Sequence, residues 1–160
     1  SSIVSISSNG GMGWNMRIPV LAEFISQQGV DVAMAWAEKH LDEHVKEGYA
    51  FSKEAVVYWT MLQAPQLIKR GIRINCTLPG PTQTPMMTHF EAATDDKILQ
   101  AFIQPINRRS TPAEQAAPLV FLNSDAASYM NGLAVPVDGG FMAGMTTGQV
   151  DISALLALAE

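Results

Sequence analysis

The sequence predicts an α/β fold, and three observations predict it. Hydrophobic residues make up 48% of the 160 positions and charged residues 16%, a balance that fits a well-buried domain and not a disordered chain. Three short runs, residues 2–7, 72–78 and 134–137, read as strands that lead into glycine or proline turns. The longer stretches between them carry helix start and stop residues. The length suits one domain with a core of its own.

The elements follow in order. Residues 2–7 form a strand that ends in the hydroxyls of Ser7 and Ser8 and breaks at Gly10-Gly11. Residues 18–28 and 31–46 are two helices joined at Gly29, with Asp31 as N-cap of the second. Residues 48–69 suit a long helix, stopped by Gly71 after Lys69 and Arg70. Residues 72–78 alternate as a strand and end at Pro79-Gly80. Residues 81–110 are irregular, with one or two short helices. Residues 112–123 form a helix with Thr111 as N-cap, Pro112 in the first turn and Glu114 at the third position. Residues 134–137 are a strand before Asp138-Gly139-Gly140, a turn that needs glycine conformations. A short helix is expected between Asp151 and Glu160, capped by Asp151 or Ser153.

Composition excludes several roles. A net charge of −5 and a pI near 5.1 disfavour a nucleic-acid or anionic-membrane partner, because neither would be attracted. No apolar run is long enough to span a bilayer, and no signal peptide is recognisable. The single cysteine, Cys76, has no internal disulfide partner, which points to a reducing cytoplasm; inside a strand it reads as a buried structural thiol. Gly10-Gly11-Met12-Gly13 follows a strand but lacks the glycine spacing of a dinucleotide fingerprint.

The chemistry-bearing pair is Tyr49 and Lys53. Four positions apart on a helix, they lie one above the other on one face. An ammonium beside a phenol favours the phenolate, and such a phenol can exchange a proton with a carbonyl or alcohol oxygen. Ser8 stands at the carboxyl end of a strand, where open α/β sheets place chemistry; period-two alternation sends Ser7 to the other face. The plain structural readings are a turn-capping serine and a solvated lysine. Tyr58 and Tyr129 have no lysine four residues on. A rival motif, His40-Leu41-Asp42-Glu43-His44, matches an inverted zinc-peptidase signature, with Glu114 as the downstream third ligand. Against it, the charged run from Glu38 to Glu47 reads as a solvated face, and Glu114 is explained by its helix start.

Taken together, Ile3 to Gly11, Tyr49 to Lys53, Leu78 to Pro85, Thr111 to Ala117 and Ala134 to Gly140 resemble the short-chain dehydrogenase/reductase family over almost the whole chain. The resemblance implies the C-terminal part of a doubly wound parallel-sheet (Rossmann-like) domain. Residues 1–160 would be a single partial NAD(P)-binding domain, with a helical-hairpin insertion at 15–46 and the N-terminal dinucleotide-binding half absent. The forty-one positions from Ser8 to Tyr49, together with that insertion, are similar to the bacterial 3α-hydroxysteroid dehydrogenase/carbonyl reductase and coniferyl-alcohol dehydrogenase-like group.

The same resemblance implies an NAD- or NADP-dependent oxidoreductase. Its substrates would be secondary alcohols and ketones or aryl alcohols and aldehydes, a 3α-hydroxysteroid among them. Ser8, Tyr49 and Lys53 would be catalytic, and Tyr49, Lys53, Pro79, Gly80, Thr82 and Thr84 would hold the cofactor. Met86, Met87, Phe90 and Phe102 would belong to a lid over a bulky apolar substrate. Arg108 would pair with local carboxylates. The implied partners are a small-molecule alcohol or ketone and further copies of the chain in a homo-oligomer packed through the Tyr49 helix, with no nucleic acid and no membrane. Two other expectations stand beside it: a catalytically incompetent fragment acting only through association, and a zinc metallopeptidase built on His40, Glu43 and His44.

Overall fold

In the computed structural model the described residues are 1–46, 48–93 and 96–153, with the side chains of His89, Phe90, Ala92 and Ala93 outside them. Strand β1 (Ser2–Ile6) runs into a 3-10 turn (Asn9–Met16), then helices α1 (Ile18–Ile25) and α2 (Val30–Lys39), a π-helical turn (Leu41–Val45) and the long helix α3 (Tyr49–Leu67). After β2 (Arg73–Pro79) come α4 (Pro85–Ala93), α5 (Asp96–Phe102), α6 (Pro112–Asn123), β3 (Ala134–Val137) and α7 (Phe141–Thr146). The sheet order is β1-β2-β3. β1 and β2 are parallel, in a register that sets Ser2 opposite Arg73 and Ile6 opposite Thr77. This is the expected α/β, Rossmann-like arrangement. Among the described residues no helix is long and apolar enough to cross a membrane.

The chain divides into two compact units, Ser1–Leu78 with Leu122–Val135, and Pro79–Phe121 with the described residues from Pro136 onward. In the first unit, β2 is buried from Arg73 to Leu78, as a central parallel strand is. Its polar members are satisfied: Asn75 Nδ2 donates to the Met130 carbonyl at 2.9 Å and Asn75 Oδ1 accepts from Leu133 N at 3.0 Å. Helix α3 is apolar on two sides because it packs on two cores. Val57 meets Cys76 and Leu78; Phe51 and Ala55 meet Leu21 and Trp36. Phe51 lies edge-on to Phe24 at 5.0 Å.

The segment between β1 and α3 departs from the expected boundaries. α1 stops at Ile25, and α2 starts at Val30 from Gly29, whose φ of 99° is a glycine conformation. Asp31 therefore sits inside the first turn and is not the cap, although its charge still suits a helix N-terminus. The helix expected over 31–46 ends at Lys39, where His40 leaves helical geometry (φ −110°). Trp36, pinned by its indole N–H on Glu23 Oε1 at 2.8 Å, is the last buried anchor before that break. The 3-10 turn at Asn9–Met16 and helix α7 were not expected, since neither has a long apolar period. Residues 154–160 of the expected C-terminal helix lie outside the described residues.

In the second unit α6 begins as the sequence predicts. Glu114 Oε2 accepts from Thr111 N at 2.8 Å, and Glu114 N donates to Thr111 Oγ1 at 3.3 Å. Arg108 donates to both Glu114 carboxylate oxygens, at 2.9 and 2.7 Å. These bonds, Arg108's first, hold the Glu114 carboxyl down at about 2, from an ordinary 4.5. A lowered carboxyl stabilises the fold above its ordinary value and loses that contribution as pH falls through the lowered one. Acid unfolding of Glu114→Gln, followed by circular dichroism, should therefore be less pH-dependent between 4.5 and about 2 than wild type. Parallel titrations would refute the pairing.

Candidate active site

The first unit brings Ser8, Tyr49 and Lys53 together. β1 ends at Ile6; Ser8 follows in extended conformation and caps the 3-10 turn, its Oγ accepting from Gly10 N at 3.1 Å. Tyr49 opens α3 after Gly48, whose φ of 79° turns the chain sharply into the helix, and the tyrosine is 40% exposed. One turn on, Lys53 Nζ lies 5.7 Å from the Tyr49 ring centroid and donates to the Ile6 carbonyl at 3.4 Å. Gly10 completes the geometry. A Cβ there would sit 3.3 Å from Tyr49 Cε1 and 3.6 Å from Ser8 Oγ, so glycine keeps open the space between hydroxyl and phenol ring. A serine hydroxyl has one donor and two acceptor sites; Gly10 N uses an acceptor, which leaves the Ser8 O–H to point elsewhere.

Sequence reasoning missed three neighbours. Ser7 was expected on the far face, but β1 has already ended, so alternation no longer applies. Ser7 is buried and its Oγ donates to the Lys53 carbonyl at 2.7 Å. Gly11 lies flat on the same peptide: a Cβ would fall 2.8 Å from the Lys53 oxygen. Arg17, after the 3-10 turn, pairs with buried Glu54 at 2.8 Å and stacks over Phe51 at 5.2 Å. The glycine cluster was readable as a close-approach signal, though not as one aimed at Lys53.

Pro79, the last residue of β2, and Gly80, Thr82 and Thr84 on the turn after it belong to the second unit. Gly80 N donates to the Val137 carbonyl at 3.0 Å. The Thr82 hydroxyl is turned inward, 2.9 Å from the Gly80 carbonyl and 3.0 Å from Ser110 Oγ, so it pins the turn. The Thr84 carbonyl accepts from Met87 N at 2.9 Å as α4 begins. A cavity of about 460 Å³ adjoins the turn, walled by Gly80, Pro81, Phe102, Ile106, Gln115 and Val137. Of the expected lid residues, Met86 is exposed, Phe102 packs on Phe141 at 5.2 Å, and the Phe90 side chain lies outside the described residues.

On the cavity's far wall, Asp138 caps α7 by accepting from Gly140 N at 3.0 Å and Met142 N at 2.9 Å. Gly139 there has φ +66°, and a Cβ would run into Ile106 Cγ2. Gly139→Ala should lower stability by about 1–3 kcal/mol through strain and overpacking. A urea titration checks it, and an unchanged midpoint would refute it.

Among the described residues neither rival chemistry gathers a site. Cys76 is buried, and burial pushes its thiol up against the smaller opposing pull of the Thr60 hydrogen bond, which disfavours a thiolate nucleophile. His40 and His44 fall at a helix end and on the π-helical turn, not on one regular helix. His40 Nδ1 lies 2.8 Å from the Trp36 carbonyl, and Glu114 is engaged by Arg108 and Thr111. Among the described residues no three His, Cys, Asp or Glu side chains gather as metal ligands.

Comparison with known proteins adds an independent finding. A family model described as enoyl-(acyl carrier protein) reductase matches residues 5–142. A coniferyl-alcohol dehydrogenase of Pseudomonas sp. (strain HR199) is 32% identical over 140 residues, 87% of this chain and 54% of the relative. A levodione reductase of Leifsonia aquatica is 41% identical over 145 residues, 86% of this chain and 54% of the relative. The 3α-hydroxysteroid dehydrogenase of Pseudomonas sp. B-0831, solved with NADH, matches with a TM-score of 0.71 at 26% identity, covering 94% of this chain and 58% of that one. The chain spans about half the length of the curated relatives it matches.

Proposed function

The chain belongs to the short-chain dehydrogenase/reductase family, and we propose that it supplies the proton-transfer site of an oxidoreductase that moves a hydride between NAD or NADP and a secondary alcohol or ketone, with steroid and aryl carbonyl compounds as the substrate class. One observation carries this reading: the space that Gly10 leaves open between Ser8 Oγ and the Tyr49 ring, with the Lys53 ammonium on the same helix face. In this reading the substrate oxygen lies in that space. The donor set around it suits a ribose diol, with the Lys53 ammonium as donor and the half-exposed Tyr49 beside it.

In this reading the Ser8 O–H donates to the substrate oxygen and stabilises charge developing there. The Tyr49 hydroxyl gives its proton to that oxygen when a ketone is reduced and takes one when an alcohol is oxidised. Lys53 donates to the ribose hydroxyls. The Pro79–Thr84 turn offers main-chain groups to the nicotinamide, held in shape by the Thr82 hydroxyl. The nicotinamide, when bound, supplies or accepts the hydride. Relatives named for coniferyl alcohol and 3α-hydroxysteroids support the substrate class. Trp59 and Leu62, left exposed by α3, support a homo-oligomer packed through that helix.

The test is a spectrophotometric assay with NADH and NADPH against steroid ketones, aryl aldehydes and their alcohols. Cofactor-dependent turnover is expected with at least one pair. No turnover with either cofactor across the panel would overturn the reading.

A further inference from the structure

The end of β1 holds Lys53 at both of its ends. The Ser7 hydroxyl, on a residue only 3% exposed, donates to the Lys53 carbonyl at 2.7 Å. The Ile6 carbonyl accepts from the Lys53 ammonium at 3.4 Å. Gly11 is packed so closely that a Cβ would stand 2.8 Å from the Lys53 oxygen, 2.9 Å from its carbonyl carbon and 2.8 Å from Ser7 Oγ. The first turn of α3 has no side-chain cap, because Gly48 stands at the N-cap. The place of the Tyr49–Lys53 turn along the strand therefore depends on side contacts. Phe51 and the Arg17–Glu54 pair hold the helix on its neighbouring faces, and Ser7 touches Lys53 itself.

We infer that Ser7 is a positioning residue: by gripping the Lys53 carbonyl against Gly11, it sets where the Lys53 ammonium stands beside the Tyr49 ring. It acts through Lys53 and does not touch substrate. Its kinetic consequence rests on the oxidoreductase reading above; its structural consequence does not. A hydroxyl on the carbonyl's second lone pair leaves the helical bond of that carbonyl intact, so Ser7 adds a lateral tether without unwinding α3. Removing the tether lets the Lys53 turn slide, and a misplacement of about 1 Å at a reacting site can cost roughly 100-fold in rate.

The experiment compares wild type, Ser7→Ala, Ser7→Thr and, as control, Ser2→Ala. Ser2 makes a similar hydroxyl bond at the other end of β1, to Asn123 Oδ1 at 2.8 Å. Two readouts are taken: the Nζ resonance of Lys53 in chain carrying isotope-labelled lysine, and the kcat and KM of alcohol oxidation. In Ser7→Ala the Lys53 resonance should move toward those of the exposed lysines. In the same variant kcat should fall about tenfold with little change in substrate KM. Ser7→Thr, which keeps the hydroxyl, should recover both signals, and Ser2→Ala should leave both unmoved. A Lys53 resonance unchanged in Ser7→Ala, or shifted equally in Ser2→Ala, overturns the inference. If wild type shows no turnover while the resonance moves only in Ser7→Ala, the positioning role stands and the oxidoreductase reading falls.

Discussion

Replacing Tyr49 by phenylalanine should lower hydride-transfer turnover by at least about 100-fold, the usual scale for removing a general acid–base, while leaving the fold in place. The substitution deletes one oxygen and keeps the ring that lines the Gly10 gap. Tyr49 as a whole is 40% exposed, and the phenylalanine ring keeps its place at the start of α3. Lys53 keeps its grip on the Ile6 carbonyl in the variant, so cofactor affinity should change little. The deficit should appear in kcat and kcat/KM together, the pattern of an interaction made in the transition state. Ser8→Ala is a less clean probe, because the Ser8 hydroxyl also caps the 3-10 turn through Gly10 N, so lost activity would mix with lost order. Steady-state kinetics with a thermal melt as control would decide it. Full turnover in Tyr49→Phe would remove Tyr49 from the proton path.

The signals that reached this site from sequence are local ones. Tyr49 and Lys53 share a helix face because four residues make about one turn, and the structure stacks them so. The Thr111–Glu114 box was legible because both partners sit within one turn. Gly71 ends the α3 region in left-handed conformation, as its place after Lys69 and Arg70 suggested. What was not legible depends on contacts far apart in the chain or on short irregular turns. Ser7 meets Lys53 across 46 positions and Arg17 meets Glu54 across 37, and neither pair leaves a period in the sequence. The asparagine and glycines after Ser8 read only as a break, although they wind a 3-10 turn. α7 is too short for a periodic signal; it is fixed by the Asp138 cap and by Phe141, which is wholly buried.

Arg17→Met should destabilise the fold by about 2–4 kcal/mol near neutral pH. Glu54 is buried, and its carboxylate is compensated by one guanidinium at 2.8 Å. Even so, burial pushes the Glu54 carboxyl above its ordinary value, outweighing the pull of Arg17's charge and hydrogen bond. The ionised form is thus already costly with its partner present, and breaking a buried pair strands it, at a cost of roughly 3–5 kcal/mol when both ions are buried. Arg17 is 29% exposed, which reduces that figure. The loss should carry a pH signature. A carboxyl raised by folding favours the fold most when protonated; its contribution is fully present below the ordinary 4.5 and is lost as pH rises through the raised value. Without Arg17 the raised value climbs further, so the deficit of Arg17→Met should be largest near pH 7 and shrink on acidification toward about pH 5. The double variant Arg17→Met/Glu54→Gln should recover most of the stability at pH 7, because the stranded charge is gone. Urea unfolding at the two pH values measures both effects. Equal deficits at both, with no recovery in the double variant, would assign the loss to packing over Phe51 and to the bond that Arg17 donates to the His44 carbonyl instead. A charge origin would mean that the segment just after Ser8's turn is fastened to the residue next to Lys53 by a pair chosen for specificity of placement rather than for stability, since an apolar pair of similar volume would hold the same two elements at lower cost.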